Sequence, residues 1–387
     1  MPHAREVASP ASASAIATLS QCFAEPLAHP RARHADGARV IGTAAHTVPW
    51  ELLRAAGFSP VMVRPTRAPG RACDDFLEPG VFSPRSRGLF ESVLAGDLSF
   101  LSALIFARTS EQDYKTYLYL REVAREGNDA SVPTLWFYDL LHSPSTQAYD
   151  YGLARTRELI AQLEAAGGRA IHRGDLEAAI EESNAARAAA RRVVALRRQS
   201  PRLAGAEALS LLGAFFLMDR ARYARLAEHA ADEAERRPPL PGPRVVLAGA
   251  WLEDQRLHAF LESQGAVVVA EDGGWGTRGA GHDIVRGSDP VAAIFEKYYR
   301  DGPSVRQFPD GGRSWLEETS GAEIDGVVFY LPPDDSVAGW DVPRERHRLD
   351  ALGIPSLVIR DDVNAREFAE RWHDRVSAFL QQAERRR

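Results

Sequence analysis

The sequence predicts an α/β protein made of two Rossmann-like parallel-sheet halves that face a central cleft, with a helical insertion between them. Three observations carry this reading. RVIGTAAHTVPWELLRAAGFSPVMV, Arg39 to Val63, runs apolar strand, small-residue turn, amphipathic helix, glycine, apolar strand, and RVVLAGAWLEDQRLHAFLESQGAVVVAED, Arg244 to Asp272, repeats that order. The echo continues: SALIFARTSEQDYKTYLYLREVAREGNDASVPTLWFYDLL places a strand, a helix and a Pro-led strand where GVVFYLPPDDSVAGWDVPRERHRLDALGIPSLVIRDD places the same elements. Throughout, short apolar runs alternate with longer helical patterns, as expected of parallel strands joined by helical crossovers.

In chain order, residues 1–37 read as a mobile or loosely docked N-terminal arm, rich in Ser and Ala. Residues 38–174 form the first α/β half. Residues 175–237 are rich in Ala, Arg and Glu, nearly free of Pro and Gly, and place apolar residues at helical spacing, as in LSLLGAFFLMDRARYARLAEHA; they predict two or three long helices packed on the first half. RRPPLPGPR cannot continue a helix, so residues 238–243 are the linker. Residues 244–387 form the second half, closing in a helix of about Asn364 to Glu384 followed by three arginines.

Composition narrows the function. A chain of 387 residues, 45% hydrophobic and 26% charged, has room for two cored domains. A net charge of −6 gives no electrostatic reason for nucleic acid or an anionic membrane as partner. The start of the chain lacks the basic-then-apolar layout of a secretory signal, and no apolar run is long enough to cross a bilayer, so a cytoplasmic location is expected. Two cysteines, Cys22 and Cys73, offer neither a disulfide framework nor a Cys-rich metal module.

Ligands of open parallel sheets bind beyond the carboxyl ends of the strands, so the cleft between two like halves is the expected site. His46 and Glu51 lie where the first strand gives way to the first helix. Pro49 suits a first helical turn, which puts Glu51 in that turn near unpaired backbone N–H groups and His46 on the loop before it. Such a pair in a water-poor cleft can divide proton donation and abstraction. The plainer alternative makes Glu51 a helix-start carboxylate and His46 a partly buried loop residue.

EDGGWGTRGAGHD, Glu271 to Asp283, is the most glycine-dense stretch; its backbone can approach an anion, and Arg278 can clamp a phosphate or carboxylate. It fits neither GxGxxG after a first strand nor GxxxxGK(S/T), and His282 and Asp283 beside it can equally be solvated. FSPRSRG carries Ser83, Arg85 and Arg87 ahead of a helix and suits an anion such as pyrophosphate. YLPPDDSVAGW offers Asp334 and Asp335 for a hard cation or a hydroxyl, or simply for a surface turn.

These stretches together carry a resemblance. VPWELLRAAG resembles the P-x-E-L-x-x-A-x-G start of the D-components of 2-hydroxyacyl-CoA dehydratases and the related benzoyl-CoA reductase subunits. SPRSRGLFESVLAGDLSFLSALIFARTSEQDYK is similar to the segment in which that family places two cysteines. EDGGWGTRG resembles its D-D-x-C-x-G-x-R loop, IDGVVFYLPPDDSVAGWDVP its D-G-V-I strand and cysteine loop, and GIPSLVIRDD its closing strand. The likeness runs from about Val40 to Leu380.

The resemblance implies a [4Fe-4S] cluster held by thiolates between the halves, an electron from an ATP-driven activator, and removal of water from, or reduction of, a CoA thioester. This sequence departs from that pattern. Ser83, Ser110 and Asp335 stand where cysteines are expected, Gly274 stands at the fourth place, and Cys22 and Cys73 lie elsewhere. Hydroxyls and a carboxylate are poor ligands for such a cluster. The expectation is therefore no metal and no cofactor in this chain, with [4Fe-4S] in a partner subunit. Glu51 matches the glutamate of P-x-E-L, whose acid/base role the resemblance implies; His46 occupies a place where a serine often precedes the proline. Ser83, Arg85, Ser110, Arg278 and Asp335 are the expected substrate-binding set. Three functions follow: a cluster-free subunit working on a CoA thioester beside a related cluster-bearing subunit, a stand-alone redox-free acyl-CoA lyase using Glu51 and His46, or a non-catalytic scaffold.

Overall fold

The computed structural model describes residues 14–386 apart from 109, 128–130, 142, 199, 302–323, 334 and 336. Asp334, named above, lies outside the described residues. Two four-stranded, all-parallel sheets organise the chain. The first is ordered β2-β1-β3-β4, from β1 (Val40–Thr43), β2 (Ser59–Met62), β3 (Ala103–Ala107) and β4 (Leu135–Tyr138). The second repeats that order as β6-β5-β7-β8, from β5 (Arg244–Gly249), β6 (Val267–Glu271), β7 (Gly326–Leu331) and β8 (Ser356–Arg360). β1, β3, β6 and β7 are buried along their whole length, which is why they read as continuous apolar runs without alternation.

The echo extends to the turns. Helix Trp50–Ala55 ends at Gly57, φ 86°, with Phe58 N–H donating to Leu53 C=O at 3.1 Å. Helix Arg256–Ser263 ends at Gly265, φ 96°, with Ala266 N–H donating to Leu261 C=O at 3.2 Å. Both use a left-handed glycine to close the helix and send the chain straight into the next strand, a conformation that disfavours any residue with a Cβ.

Three aspects of the packing go beyond the sequence reading. Ser14 caps helix Ala15–Ala24, whose Ala15, Ile16, Leu19 and Phe23 are buried, so this part of the expected loose arm is a docked helix; residues 1–13 lie outside the described residues. That helix packs in one apolar cluster with helices Gly205–Gly213 and Arg220–Glu235. The long helix Arg173–Arg198, expected on the first half, contacts both: Leu176, Ala179 and Ile180 join the core under β1 and β3, while Arg197 reaches Glu271 at the end of β6. Helix Pro290–Asp301, which follows β6 in sequence, likewise crosses over, burying Ile294, Phe295, Tyr298 and Tyr299 in the first sheet's core.

Candidate functional site

The turn leaving β1 brings His46 to the carboxyl end of the first sheet, where the loops after β5 and β6 of the second sheet arrive from the other side. Its ring is only 8% exposed. Phe216, Trp275 and Trp251 meet it edge-on, with centroids at 4.8, 5.2 and 5.6 Å. Nε2 is buried without a hydrogen-bond partner. Burial pushes the imidazole pKa well below its ordinary value, and the nearby Arg85, Arg278 and Arg220 push the same way, so the ring is neutral near pH 7. Gly274 lies directly against it: a Cβ there would come 2.7 Å from His46 Cε1 and 2.9 Å from each ring nitrogen.

Glu51 opens helix Trp50–Ala55 and is fully buried. Its carboxylate keeps a hydrogen bond to its own first-turn N–H and also reaches beyond the helix N-terminus. Oε1 accepts from Arg187 Nη2 at 2.6 Å and from the Ser183 hydroxyl, both on the long helix, and Oε2 accepts from the Tyr298 hydroxyl at 2.8 Å. Tyr298 in turn accepts the Trp50 backbone N–H at 3.2 Å. Burial alone raises the pKa of Glu51, but Arg187 and the Ser183 hydrogen bond outweigh it and hold the group ionised, below its ordinary value. Among the described residues Glu51 is thus a charge anchor with both oxygens engaged.

Beside these groups lies a cavity of about 40 Å³. His46, Trp50 and Phe216 form part of its wall, and Arg187, Arg220, Lys297 and Tyr298 form another part. Arg220 is 3% exposed; it stacks over Phe215 at 3.2 Å and its guanidinium donates to the Phe215 carbonyl. The Lys297 ammonium is 3.9 Å from Asp301 Oδ2, and burial together with Arg187 pushes its pKa down to about 8.

Of the expected binding residues, Arg85 and Arg278 lie beside His46, Ser110 joins Arg85 through Asp113, and Ser83 and Asp335 make contacts within their own segments. Arg85 donates to the Ala44 carbonyl at 2.7 Å, pairs with Glu253 at 3.0 Å and lies 3.4 Å from Asp113. Ser110 donates to Asp113 at 2.9 Å, and Glu253 accepts from the Trp275 indole at 3.1 Å, so Ser110, Asp113, Arg85, Glu253 and Trp275 form one polar chain across the two halves. Arg278 pairs with Asp272 at 2.8 Å and stands 5.9 Å from the Trp251 ring. Ser83 caps helix Pro84–Leu94, accepting from Ser86 N–H at 3.2 Å. Asp335 accepts from Ala338 N–H at 3.0 Å and Gly339 N–H at 2.8 Å within its own loop.

Sequence reasoning missed Arg187, Arg220, Lys297, Tyr298 and the aromatic cage. One signal was available: on the long helix, Leu176, Ala179, Ile180, Ser183, Arg187, Ala190, Val193 and Arg197 follow a helical stripe that is buried, so two arginines stand in phase with its apolar residues.

The donor set does not fit an iron–sulfur cluster. Ser83 and Ser110 are occupied as helix-start caps, Asp335 is taken up by backbone N–H groups, and Gly274 offers no donor and sits under the His46 ring. Cys22 and Cys73 are free thiols on other elements, Cys22 on helix Ala15–Ala24 and Cys73 on helix Arg71–Asp74. Among the described residues no three His, Cys, Asp or Glu side chains converge as a metal site. No helix among them is long and apolar enough to cross a membrane.

Two comparisons bear on this geometry. The family model of the 2-hydroxyglutaryl-CoA dehydratase D-component matches residues 46–382. The chain is also similar to the (R)-phenyllactyl-CoA dehydratase beta subunit of Clostridium sporogenes, 21% identical over 168 residues, a stretch that is 42% of this chain and 45% of that protein. The match therefore spans less than half the length of that curated relative.

Proposed function

The chain belongs to the 2-hydroxyglutaryl-CoA dehydratase D-component family, and from that premise we propose that it is a subunit of a 2-hydroxyacyl-CoA dehydratase-like or benzoyl-CoA reductase-like complex, acts on a CoA thioester and holds no [4Fe-4S] cluster of its own. The observation that carries this reading is the fate of the four positions where the resemblance places cysteine. Three carry oxygen donors already committed to backbone caps, and the fourth is a glycine covered by an imidazole. The redox centre then belongs to a related partner subunit, a division of labour supported by the likeness to a protein named as a beta subunit.

In this reading the chain's own residues shape the acyl end of the cleft. His46 is the proton-transfer group, because its neutral ring keeps one nitrogen unpartnered inside a water-poor cage. Glu51 is a positioning residue: its charge holds Arg187 and Tyr298 in the cavity wall. Arg85 and Arg278, tied to Glu253 and Asp272, supply positive potential at the mouth.

The same free nitrogen favours a second reading, a redox-free acyl-CoA lyase that needs no partner. Anaerobic co-expression and co-purification with a cluster-bearing member of the family separate the two. The complex reading expects iron confined to the partner and turnover of a 2-hydroxyacyl-CoA only when both chains are present. It fails if the isolated chain retains stoichiometric iron and sulfide, or if the chain alone turns the thioester over. Within an active complex, His46→Gln should lower kcat at least tenfold and flatten the acid limb of its pH profile. Glu51→Gln should shift KM and kcat together without moving that limb. If both variants leave turnover untouched, the chain is a scaffold.

A further inference from the structure

We propose that the cavity beside His46 is a binding site for a short-chain carboxylate. The inference uses the same cavity as the function proposed above but needs neither a partner subunit nor a thioester, so it stands or falls in the isolated chain.

Charge is the first argument. Arg187 from the long helix, Arg220 from the start of helix Arg220–Glu235 and Lys297 from helix Pro290–Asp301 all line this cavity. They are 3%, 3% and 9% exposed. One buried carboxylate, Glu51, answers them, and it is committed to Arg187. Of the other acids near Lys297, Asp301 is exposed and 3.9 Å away, and Asp283 is exposed and paired with Arg191 at 2.8 Å. Arg220 has no carboxylate within ion-pair distance among the described residues; its guanidinium donates to one backbone carbonyl, and its Nε is buried without a partner. His46, also on the wall, presents a second buried nitrogen with no partner. Uncompensated buried cations are strongly unfavourable, so an anion that enters here gains what the protein does not provide.

Size and polarity choose the anion. One ordered water needs ~10–15 Å³ on this measure, so about 40 Å³ takes a group of about three or four heavy atoms. That suits formate, with three heavy atoms, or acetate, with four, better than phosphate, with five. Val48, Trp50, Phe215 and Phe216 give the remaining wall an apolar character suited to a short hydrocarbon stub. The Tyr298 hydrogen is already given to Glu51, so the ligand contacts are guanidinium and ammonium N–H groups, which recognise carboxylates through charge-assisted hydrogen bonds.

The carboxylate can come from a free short acid or from the far end of an acyl group that itself ends in a carboxylate. Thermal unfolding of the isolated chain is followed in sodium acetate against sodium chloride at equal ionic strength, and in glutaryl-CoA against butyryl-CoA. A rise in Tm with acetate beyond chloride supports a free acid. A rise with glutaryl-CoA but not butyryl-CoA supports an acyl-borne carboxylate. No difference in either comparison overturns the proposal. Lys297→Met and Arg220→Met should each weaken the effective ligand at least tenfold; should Arg220→Met fail to fold, Lys297→Met decides alone, and an unchanged response there also overturns it. Failure of the complex to turn over thioester leaves this result untouched, which keeps the two readings distinguishable.

Discussion

Arg187 and Arg197 stand on one helix, about 15 Å apart along its axis, and each ends in a buried carboxylate that belongs to a different sheet: Arg187 on Glu51 at 2.6 Å, Arg197 on Glu271 at 2.5 Å. Glu271 also accepts from Thr277 N–H at 2.6 Å and faces His258 Nε2 at 3.2 Å. The helix is therefore pinned at two depths, and its position fixes how the halves meet.

The second of these pairs sets the first prediction. Arg197→Met leaves Glu271 buried and charged, and Glu271→Met leaves Arg197 in the same state, so each single change should destabilise the chain by about 3–5 kcal/mol. The double change leaves no lone charge and should cost clearly less than the sum. Urea unfolding of the four chains measures the coupling.

Acid should act in two stages. His46 has a folded pKa below its ordinary 6.5; the unfolded chain takes up the proton first, so stability falls as pH drops beneath 6.5, by up to about 1.4 kcal/mol per pH unit. Glu51 and Glu271 have folded pKa values below their ordinary 4.5; the stability they contribute is present above 4.5 and is lost as pH falls from there toward their folded values. His46→Phe should flatten the first stage and leave the second, as read from urea midpoints at about pH 7, 6, 5 and 4.

Gly274→Ala places a methyl 2.7 Å from a ring that Phe216, Trp251 and Trp275 hold from three sides. The expected cost is about 1–3 kcal/mol. In a His46→Ala background the three atoms nearest that methyl are gone, and the cost should fall clearly. Equal costs in both backgrounds would contradict the packing described for this pair.

Ser83→Ala removes the side-chain acceptor at the start of helix Pro84–Leu94 and should cost about 0.5–2 kcal/mol. Because Arg85 follows immediately on that helix, its pairing with Glu253 should loosen as well. A change in Trp275 fluorescence reports this, since Glu253 also accepts from that indole.

How much of this was legible in the sequence depends on range. The two sheets were readable because each strand–helix–glycine–strand unit is written in contiguous residues, down to Gly57 and Gly265. The place of His46 beyond the first sheet's carboxyl edge was readable because that edge is a local consequence of where β1 stops. The partners of Glu51 were not, because they arrive from the long helix and from helix Pro290–Asp301, at sequence separations of 136 and 247 residues. Asp335 and Ser83 were singled out for chemistry, yet each is engaged with backbone N–H groups of its own segment, a use that short polar residues before helical turns share with binding sites.

The glycine beneath His46 also bears on ancestry. A codon change that put a cysteine at residue 274 would deliver its sulfur into space the imidazole already fills. The ring would have to change first, so relatives that keep histidine at 46 should keep glycine at 274.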